Sequence, residues 1–189
     1  MKASATTVTW TTEEIFALPN DRLERDLIRG ELRVYPSTFR VWRNAQVLMA
    51  VGVILGNWVD THQAGAGEVA AANVGVRLKR HPETMVGLDA AYFSAASIAQ
   101  MPPKQPWYEG PPVLAVEILS PSDTHEGVVE KINLYLECGV PVVWIVDPDF
   151  QTLMVYRPDQ APAMLSVQET LDGHPELPGL KVAVREFFN

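Results

Sequence analysis

The sequence predicts a mixed α/β fold with hairpins at the edges of a sheet. Strand-like segments outnumber helical ones, but two long helical segments lie between them, and residues 113–146 have a strand, helix, strand pattern. A crossover of this kind makes its two strands parallel and its connection right-handed. At 189 residues and 47% hydrophobic content, the chain suits a single domain over 1–189, with 1–10 expected to be a flexible N-terminus.

The first elements are a short helix and a hairpin. Thr11 and Glu14 have the spacing of a capping box and predict a helix that ends before Pro19. Residues 23–35 predict a hairpin with its turn at Arg29-Gly30. Its first strand carries Asp26 beside apolar neighbours.

The middle of the chain predicts a long helix and two strands. From about Arg40 to His62, apolar residues recur at steps of three and four, as a core-facing helix requires. Residues 68–78 and 86–93 are strand-like, with a turn over 79–83 between them. The second strand contains a single carboxylate, Asp89. Residues 101–112 hold five prolines and predict a loop.

The central strand follows this loop and contains Glu117 in an otherwise apolar run. Side chains alternate across a strand, so Val113, Ala115, Glu117 and Leu119 are expected on one face. An ionised glutamate there requires a cation, a hydrogen-bond donor or a raised pKa. Two interpretations stay open. In the structural one, Glu117 pairs with a buried Arg or Lys or lies at the strand's open end. In the functional one, it belongs to a site.

The next segment predicts a helix from an N-cap at Asp123 to Cys138, with Gly139 as its stop. Lys131 falls at the border of the helix's apolar stripe, from which its ammonium could reach the end of the Glu117 strand. The alternative is a lysine whose stem covers apolar surface while its charge stays in water.

The last third predicts two strands, 142–146 and 152–156, that form a hairpin around the turn Asp147-Pro-Asp149. Residues 177–188 predict an extended segment that closes with a short apolar helical turn.

Charge argues against generic, tight binding to nucleic acid. Lys and Arg number 15 against 23 Asp and Glu, for a formal charge of -8. Arg40 and Arg43 form one basic cluster, and Arg77, Lys79 and Arg80 form another. These clusters could line a local basic groove or be ordinary solvated charges.

Compartment signals favour a soluble, cytoplasmic protein with no membrane partner. The N-terminus lacks the apolar core of a signal peptide, and the most apolar helical run, 47–58, is too short to span a bilayer. The single cysteine, Cys138, permits no internal disulfide and is expected to pack at a helix end as a small hydrophobe.

Asp89 and Glu117 are the candidate metal ligands. If their strands are neighbours, the two carboxylates can converge on a hard divalent cation such as Mg²⁺, which takes oxygen ligands and completes its shell with water.

Several motifs together resemble one known family. They are Asp26-Leu-Ile-Arg-Gly-Glu-Leu, Leu88-Asp-Ala-Ala-Tyr-Phe-Ser, Val116-Glu-Ile-Leu-Ser-Pro-Ser, Lys131 with Tyr135, Gly139-Val140 and Trp144-Ile-Val-Asp-Pro. Over residues 10–188 the chain resembles the Uma-type putative restriction endonucleases, a family of unknown function within the PD-(D/E)XK nuclease superfamily.

The resemblance implies a restriction-endonuclease-like mixed sheet flanked by helices, and it assigns roles to four residues. Asp89 would be the metal-binding aspartate and Glu117 the second acidic ligand. The superfamily's lysine would stand at position 119, which is Leu119 here, and the family's lysine corresponds to Lys131 on the following helix. Asp26 would be an additional acidic member.

The implied activity is hydrolysis of DNA phosphodiester bonds with one or two Mg²⁺ or Mn²⁺ ions, in a homodimer. Three positions depart from the family pattern: Leu88 where a proline is usual, Arg29 where an acidic residue is usual, and Asn44 where a histidine occurs. These departures and the charge of -8 support an alternative, a nuclease-like domain that has lost catalysis and serves as a binding or assembly module.

Overall fold

The computed structural model of the protein describes residues 9–19, 21, 23–36, 41–61 and 67–189. Of the expected flexible N-terminus, residues 1–8 lie outside these ranges. The helices are α1 (Thr12–Phe16), α2 (Trp42–Thr61), α3 (Ala95–Ile98) and α4 (His125–Glu137), followed by a 3₁₀ helix (Val184–Phe187). The strands are β1 (Leu23–Ile28), β2 (Glu31–Pro36), β3 (Glu68–Arg80), β4 (Glu83–Phe93), β5 (Tyr108–Glu109), β6 (Leu114–Ile118), β7 (Val142–Asp147), β8 (Thr152–Tyr156), β9 (Ala163–Ser166), β10 (Thr170–Asp172) and β11 (Lys181–Ala183).

Nine of these strands form one mixed sheet. Its order is β2-β1-β4-β6-β7-β8-β9, with β3 paired to β4 and β5 paired to β3, while β10 and β11 form a separate pair. The predicted parallel arrangement of the crossover is confirmed, since β6 and β7 are parallel neighbours joined by α4. Hairpins β1–β2 and β8–β9 lie at the edges, so the predicted mixed α/β class is confirmed.

The core has one layer on each side of the sheet, and β6 contributes to both. Leu114, Val116 and Ile118 pack in the cluster that includes the buried side of α2. Ala115 and Leu119 belong to the cluster that includes α4. The alternation predicted for the central strand is confirmed over residues 114–119, and it directs Glu117 to the α4 side. The prediction for Val113 is wrong, because this residue precedes β6 and packs against the α2-side cluster.

Capping confirms one predicted helix start and corrects another. Thr11 and Glu14 form the predicted capping box, with the Glu14 N–H donating to Thr11 Oγ1 at 3.2 Å. The predicted N-cap Asp123 is wrong, because Thr124 Oγ1 accepts the Gly127 N–H instead. Asp123 closes the preceding loop by accepting from the Ser120 N–H at 2.7 Å. Cys138 is half-buried at the other end of α4, as predicted.

Two members of the predicted cluster Arg77, Lys79 and Arg80 pair with carboxylates, which does not fit a basic groove. Arg77 is only 3% exposed and donates to Glu13, Glu83 and Glu109, with its guanidinium over the Trp107 ring. Arg80 also pairs with Glu109, at 3.0 Å. Arg40, from the other predicted cluster, lies outside the described residues.

Sequence patterns missed the short strands β5, β9 and β10 and made the β3–β4 turn too long. The turn consists of His81 and Pro82, because pairing continues to Arg80 and Glu83. Within the part of the chain that the structure describes, none of the helices has the length and apolar character needed to cross a membrane.

Candidate active site

The site forms where two strands share one edge of β4. β3 pairs along the whole of the other edge, so β1 and β6 use the same one: β1 opposite Met85, and β6 opposite residues 90–92. Among the described pairings, residues 86–89 lie between these two contacts with no ladder partner on that edge. Backbone N–H groups in such a gap need other acceptors.

One predicted site residue, Asp26, supplies such an acceptor, and another, Asp89, reaches from the gap to an N–H of β6. Asp26 Oδ1 accepts the Gly87 N–H at 3.1 Å, and Asp89 Oδ2 accepts the Ile118 N–H at 2.8 Å. Extending the β4–β6 register by one pair from Ala90 and Val116 sets Asp89 opposite Glu117. The gap therefore brings Asp26 and Asp89 next to the end of β6.

Glu117 is the buried centre of the site. Its residue is 8% exposed, and its two carboxylate oxygens have separate donors on α4. Lys131 Nζ donates to Oε2 at 3.1 Å, and the Tyr135 hydroxyl donates to Oε1 at 2.5 Å. Lys131 thus reaches the Glu117 strand, as the helical spacing predicted, although its side chain remains 39% exposed.

Burial raises the pKa of Glu117 to about 7. The charge of Lys131 lowers it, the nearby charge of Asp89 raises it, and the two hydrogen bonds from Tyr135 and Lys131 lower it again. Desolvation therefore outweighs the ion pair, as expected for a carboxylate held in an apolar wall. Such a carboxylate changes its charge near neutral pH.

Lys131 and Asp26 are shifted by the same surroundings. Burial alone would lower the pKa of Lys131, but the charges of Glu117 and Asp26 and the hydrogen bond to Glu117 raise it above its usual range. Burial raises the pKa of Asp26, against the opposing effects of Lys131 and the Gly87 N–H. The structure thus brings together all four predicted residues, Asp26, Asp89, Glu117 and Lys131, in one electrostatic cluster.

Sequence reasoning missed two polar contacts around this cluster. Tyr135 was noted as a motif residue with Lys131 and as part of the apolar stripe of α4, but its hydrogen bond to Glu117 was not predicted, although its spacing four residues after Lys131 places both on one helix face. Asn44, in the first turn of α2, is buried and its Nδ2 donates to the Leu119 carbonyl oxygen at 2.7 Å. This bond ties α2 to the loop that leaves the Glu117 strand.

A bulge in β3 lies opposite Asp89. Ala72 and Asn73 both have positive φ, and the β3–β4 register shifts there. Asn73 Oδ1 occupies the space over Gly87, 1.8 Å from where a Cβ on that glycine would lie. Bulges of this kind increase the local twist of a strand and re-aim its side chains.

The donor set fits a Mg²⁺ or Mn²⁺ ion only as an open site. Asp89 and Glu117 offer hard carboxylate oxygens, and Mg²⁺ is commonly held by one or two carboxylates plus water and substrate phosphates. No group of three or more His, Cys, Asp or Glu side chains suited to a metal ion occurs among the described residues. The residues present therefore suit an ion whose shell is completed by solvent or substrate.

Comparison with known proteins identifies what the chain is similar to. Residues 12–185 match the model of Uma2, described as "Putative restriction endonuclease". The chain is 19% identical, with a TM-score of 0.76, to the crystal structure of a putative nuclease belonging to DUF820 from Anabaena variabilis ATCC 29413. That match covers 95% of this chain and 97% of the other. None of the curated proteins matches the chain.

Proposed function

Because the chain belongs to the Uma2 family of putative restriction endonucleases, we propose that it is a Mg²⁺- or Mn²⁺-dependent endonuclease that hydrolyses DNA phosphodiester bonds. The whole chain would act as one domain, with Asp26, Asp89, Glu117 and Lys131 as its site. One observation carries this proposal: the buried carboxylate of Glu117 lies beside a second carboxylate and under an ammonium group. The charge of Asp89 raises the pKa of Glu117 and so works against a purely structural ion pair with Lys131.

Asp89 and Glu117 would hold the cation. When bound, a divalent ion supplies charge stabilisation at the phosphate and a more acidic water. The ionised form of Glu117 is the ligand, and burial makes that form costly in the absence of a cation. Binding of a cation would therefore lower the free-energy cost of ionising Glu117.

Lys131 would orient the attacking water or offset charge on the phosphate. Its raised pKa keeps it protonated at neutral pH, so it can donate hydrogen bonds but is a poor general base. The Asp26 carboxyl would accept a hydrogen bond from the Gly87 N–H, and its charge would help to keep Lys131 protonated.

Two variants test the roles of these groups separately. Plasmid DNA is incubated with the protein and Mg²⁺ or Mn²⁺, while Mn²⁺ binding is measured by calorimetry at pH 8.5. We expect Glu117→Gln to lose both cleavage and Mn²⁺ binding. Lys131→Met, which keeps the apolar stem, should lose about 100-fold or more in cleavage but still bind Mn²⁺. Cleavage that persists unchanged in both variants would remove these residues from catalysis.

The competing function is a nuclease-like binding or assembly module. It is favoured by the lack of a third acidic or histidine ligand among the described residues and by Leu119 where the superfamily has its lysine. A wild-type protein that shows no Mn²⁺ affinity and no cleavage would support the module.

We also propose that the partner is a second copy of the chain, since a dimer brings two sites to two DNA strands. α2 has no charged side chain between Arg43 and Asp60, and Trp42, Met49 and Val53 are exposed along it.

Sedimentation should give about twice the 20.9 kDa chain mass. Met49→Lys should shift the protein to monomer, whereas Phe150→Lys, at an even more exposed residue in the β7–β8 turn, should not. A monomeric wild type would contradict the dimer.

A further inference from the structure

Tyr135 contributes the most deeply buried polar group that contacts the site. It has no exposed surface, and its hydroxyl donates to Glu117 Oε1 at 2.5 Å. Lys131, one helical turn earlier, donates to the other oxygen of the same carboxylate. One face of α4 therefore engages both oxygens of Glu117.

The surroundings of Tyr135 give its ring an ordinary packing role but not its hydroxyl. The ring lies in the apolar cluster that includes Ile132, Leu88, Ala115 and Val143. A phenylalanine would fill nearly the same space without the cost of burying a hydroxyl group. The hydroxyl is thus explained by its acceptor, Glu117, and not by the core.

Two donors restrain a carboxylate more than one does. A single hydrogen bond to one oxygen leaves the group free to rotate about that contact, whereas bonds to both oxygens fix its plane. Carboxylates that bind metals are commonly oriented by such outer partners. Because the Lys131 side chain is 39% exposed and its ammonium ends a flexible four-carbon stem, the fully buried Tyr135 is expected to be the more rigid of the two restraints.

We propose that Tyr135 is a positioning residue that fixes the orientation of the Glu117 carboxylate for a divalent cation shared with Asp89. The inference rests on the proposed function, because it assigns Glu117 to that cation. Tyr135 does not itself touch the cation or the substrate; it acts through Glu117.

The test compares two substitutions that each remove one tyrosine hydroxyl. Tyr135→Phe removes the donor to Glu117. The control, Tyr92→Phe, removes a hydroxyl that accepts the Gly67 N–H at 3.4 Å in the cluster on the α2 side of the sheet. Mn²⁺ affinity is measured by calorimetry, and crystal structures of the wild type and Tyr135→Phe show the Glu117 side chain.

We expect Tyr135→Phe to bind Mn²⁺ about 10-fold more weakly or worse, and Tyr92→Phe to stay within about twofold of the wild type. In the crystal of Tyr135→Phe, the ring should keep its place while the Glu117 carboxylate takes a new or second orientation. A merely structural role for Tyr135 would not move either readout in a protein that remains folded.

Each failure has its own signature. A wild type that binds no Mn²⁺ overturns the proposed function and the inference with it. A wild type that binds Mn²⁺, with Tyr135→Phe equal to it in affinity and in the Glu117 orientation, overturns the inference alone. Equal losses in Tyr135→Phe and Tyr92→Phe would also overturn it, because the effect would then come from general loosening of the fold.

Discussion

Among single residues, Glu117 has a buried carboxylate whose ionised form costs stability but is the form that would bind a metal ion. A carboxylate in a wall of apolar side chains loses hydration that one ammonium and one hydroxyl do not fully replace, so its pKa rises to about 7. Groups shifted in this way concentrate at functional sites, although structural networks also produce them. Here the second carboxylate, Asp89, makes the functional interpretation the stronger one.

Glu117→Gln should stabilise the metal-free fold at high pH. The pKa is about 7 in the folded protein against 4.5 for an unperturbed glutamate. The folded state therefore keeps a proton that the unfolded state loses as pH rises through this window. Between pH 4.5 and pH 7, the free energy of unfolding of the wild type falls relative to that of the Glu117→Gln variant. Above pH 7 the difference stays level. Each pKa unit corresponds to about 1.4 kcal/mol.

Urea unfolding in EDTA at pH 5 and pH 8 measures this effect. The stability advantage of Glu117→Gln should be about 2 kcal/mol larger at pH 8 than at pH 5. An advantage that does not change with pH would mean that Glu117 does not titrate in this window in the folded protein.

Among the elements, those with strong periodicity or capping signals were predicted well. The 20-residue helix α2 and the β6–α4–β7 crossover follow from apolar spacing, and Thr11 caps α1 as its spacing to Glu14 indicated. Local competition between acceptors could not be predicted: Asp123 and Thr124 can both cap a helix, and the Ser120 N–H decides which one does. The convergence of Asp26 and Asp89 depends on where β1 and β6 leave β4, which no local pattern encodes.

Arg77 links α1, the β3–β4 hairpin and β5. Its side chain is 4% exposed and holds Glu13, Glu83 and Glu109, and the Thr12 hydroxyl and N–H also donate to Glu83. The sequence analysis considered only a groove-lining charge or a solvated charge at this position. A buried arginine could not be predicted, because its three carboxylate partners come from separate parts of the chain.

Arg77→Met should lower the free energy of unfolding by about 3 kcal/mol, because it leaves three carboxylates without their shared cation. Lys181→Met is the control: its pair with Asp172 is 3.4 Å long and largely exposed, so its loss should have little effect on the free energy of unfolding. Urea unfolding at pH 7 measures both. Equal, small losses would show that the network around Arg77 contributes little.

For the whole molecule, charge limits how the protein can hold DNA. The formal charge is -8, and many described arginines already engage carboxylates: Arg25, Arg29, Arg33, Arg77, Arg80 and Arg157. Arg29 and Arg33 in the β1–β2 hairpin pair with Glu137 and Glu130 and so hold that hairpin against α4. Their charges stabilise the scaffold and are not available for phosphates without breaking these pairs.

Binding to duplex DNA should therefore be weak and only mildly dependent on salt. Because six of the described arginines are paired with carboxylates, we expect about three phosphates or fewer to be neutralised, which gives a slope of log K against log salt no steeper than about -3. Fluorescence anisotropy of a labelled duplex with Lys131→Met, in which cleavage should be suppressed, measures the slope between 50 and 200 mM salt.

A slope near -6 would require about seven neutralised phosphates, which would mean that the arginine pairs open on DNA. In that case charge-reversal of Glu130 and Glu137 to Lys should strengthen binding further, because it releases Arg33 and Arg29 from the scaffold.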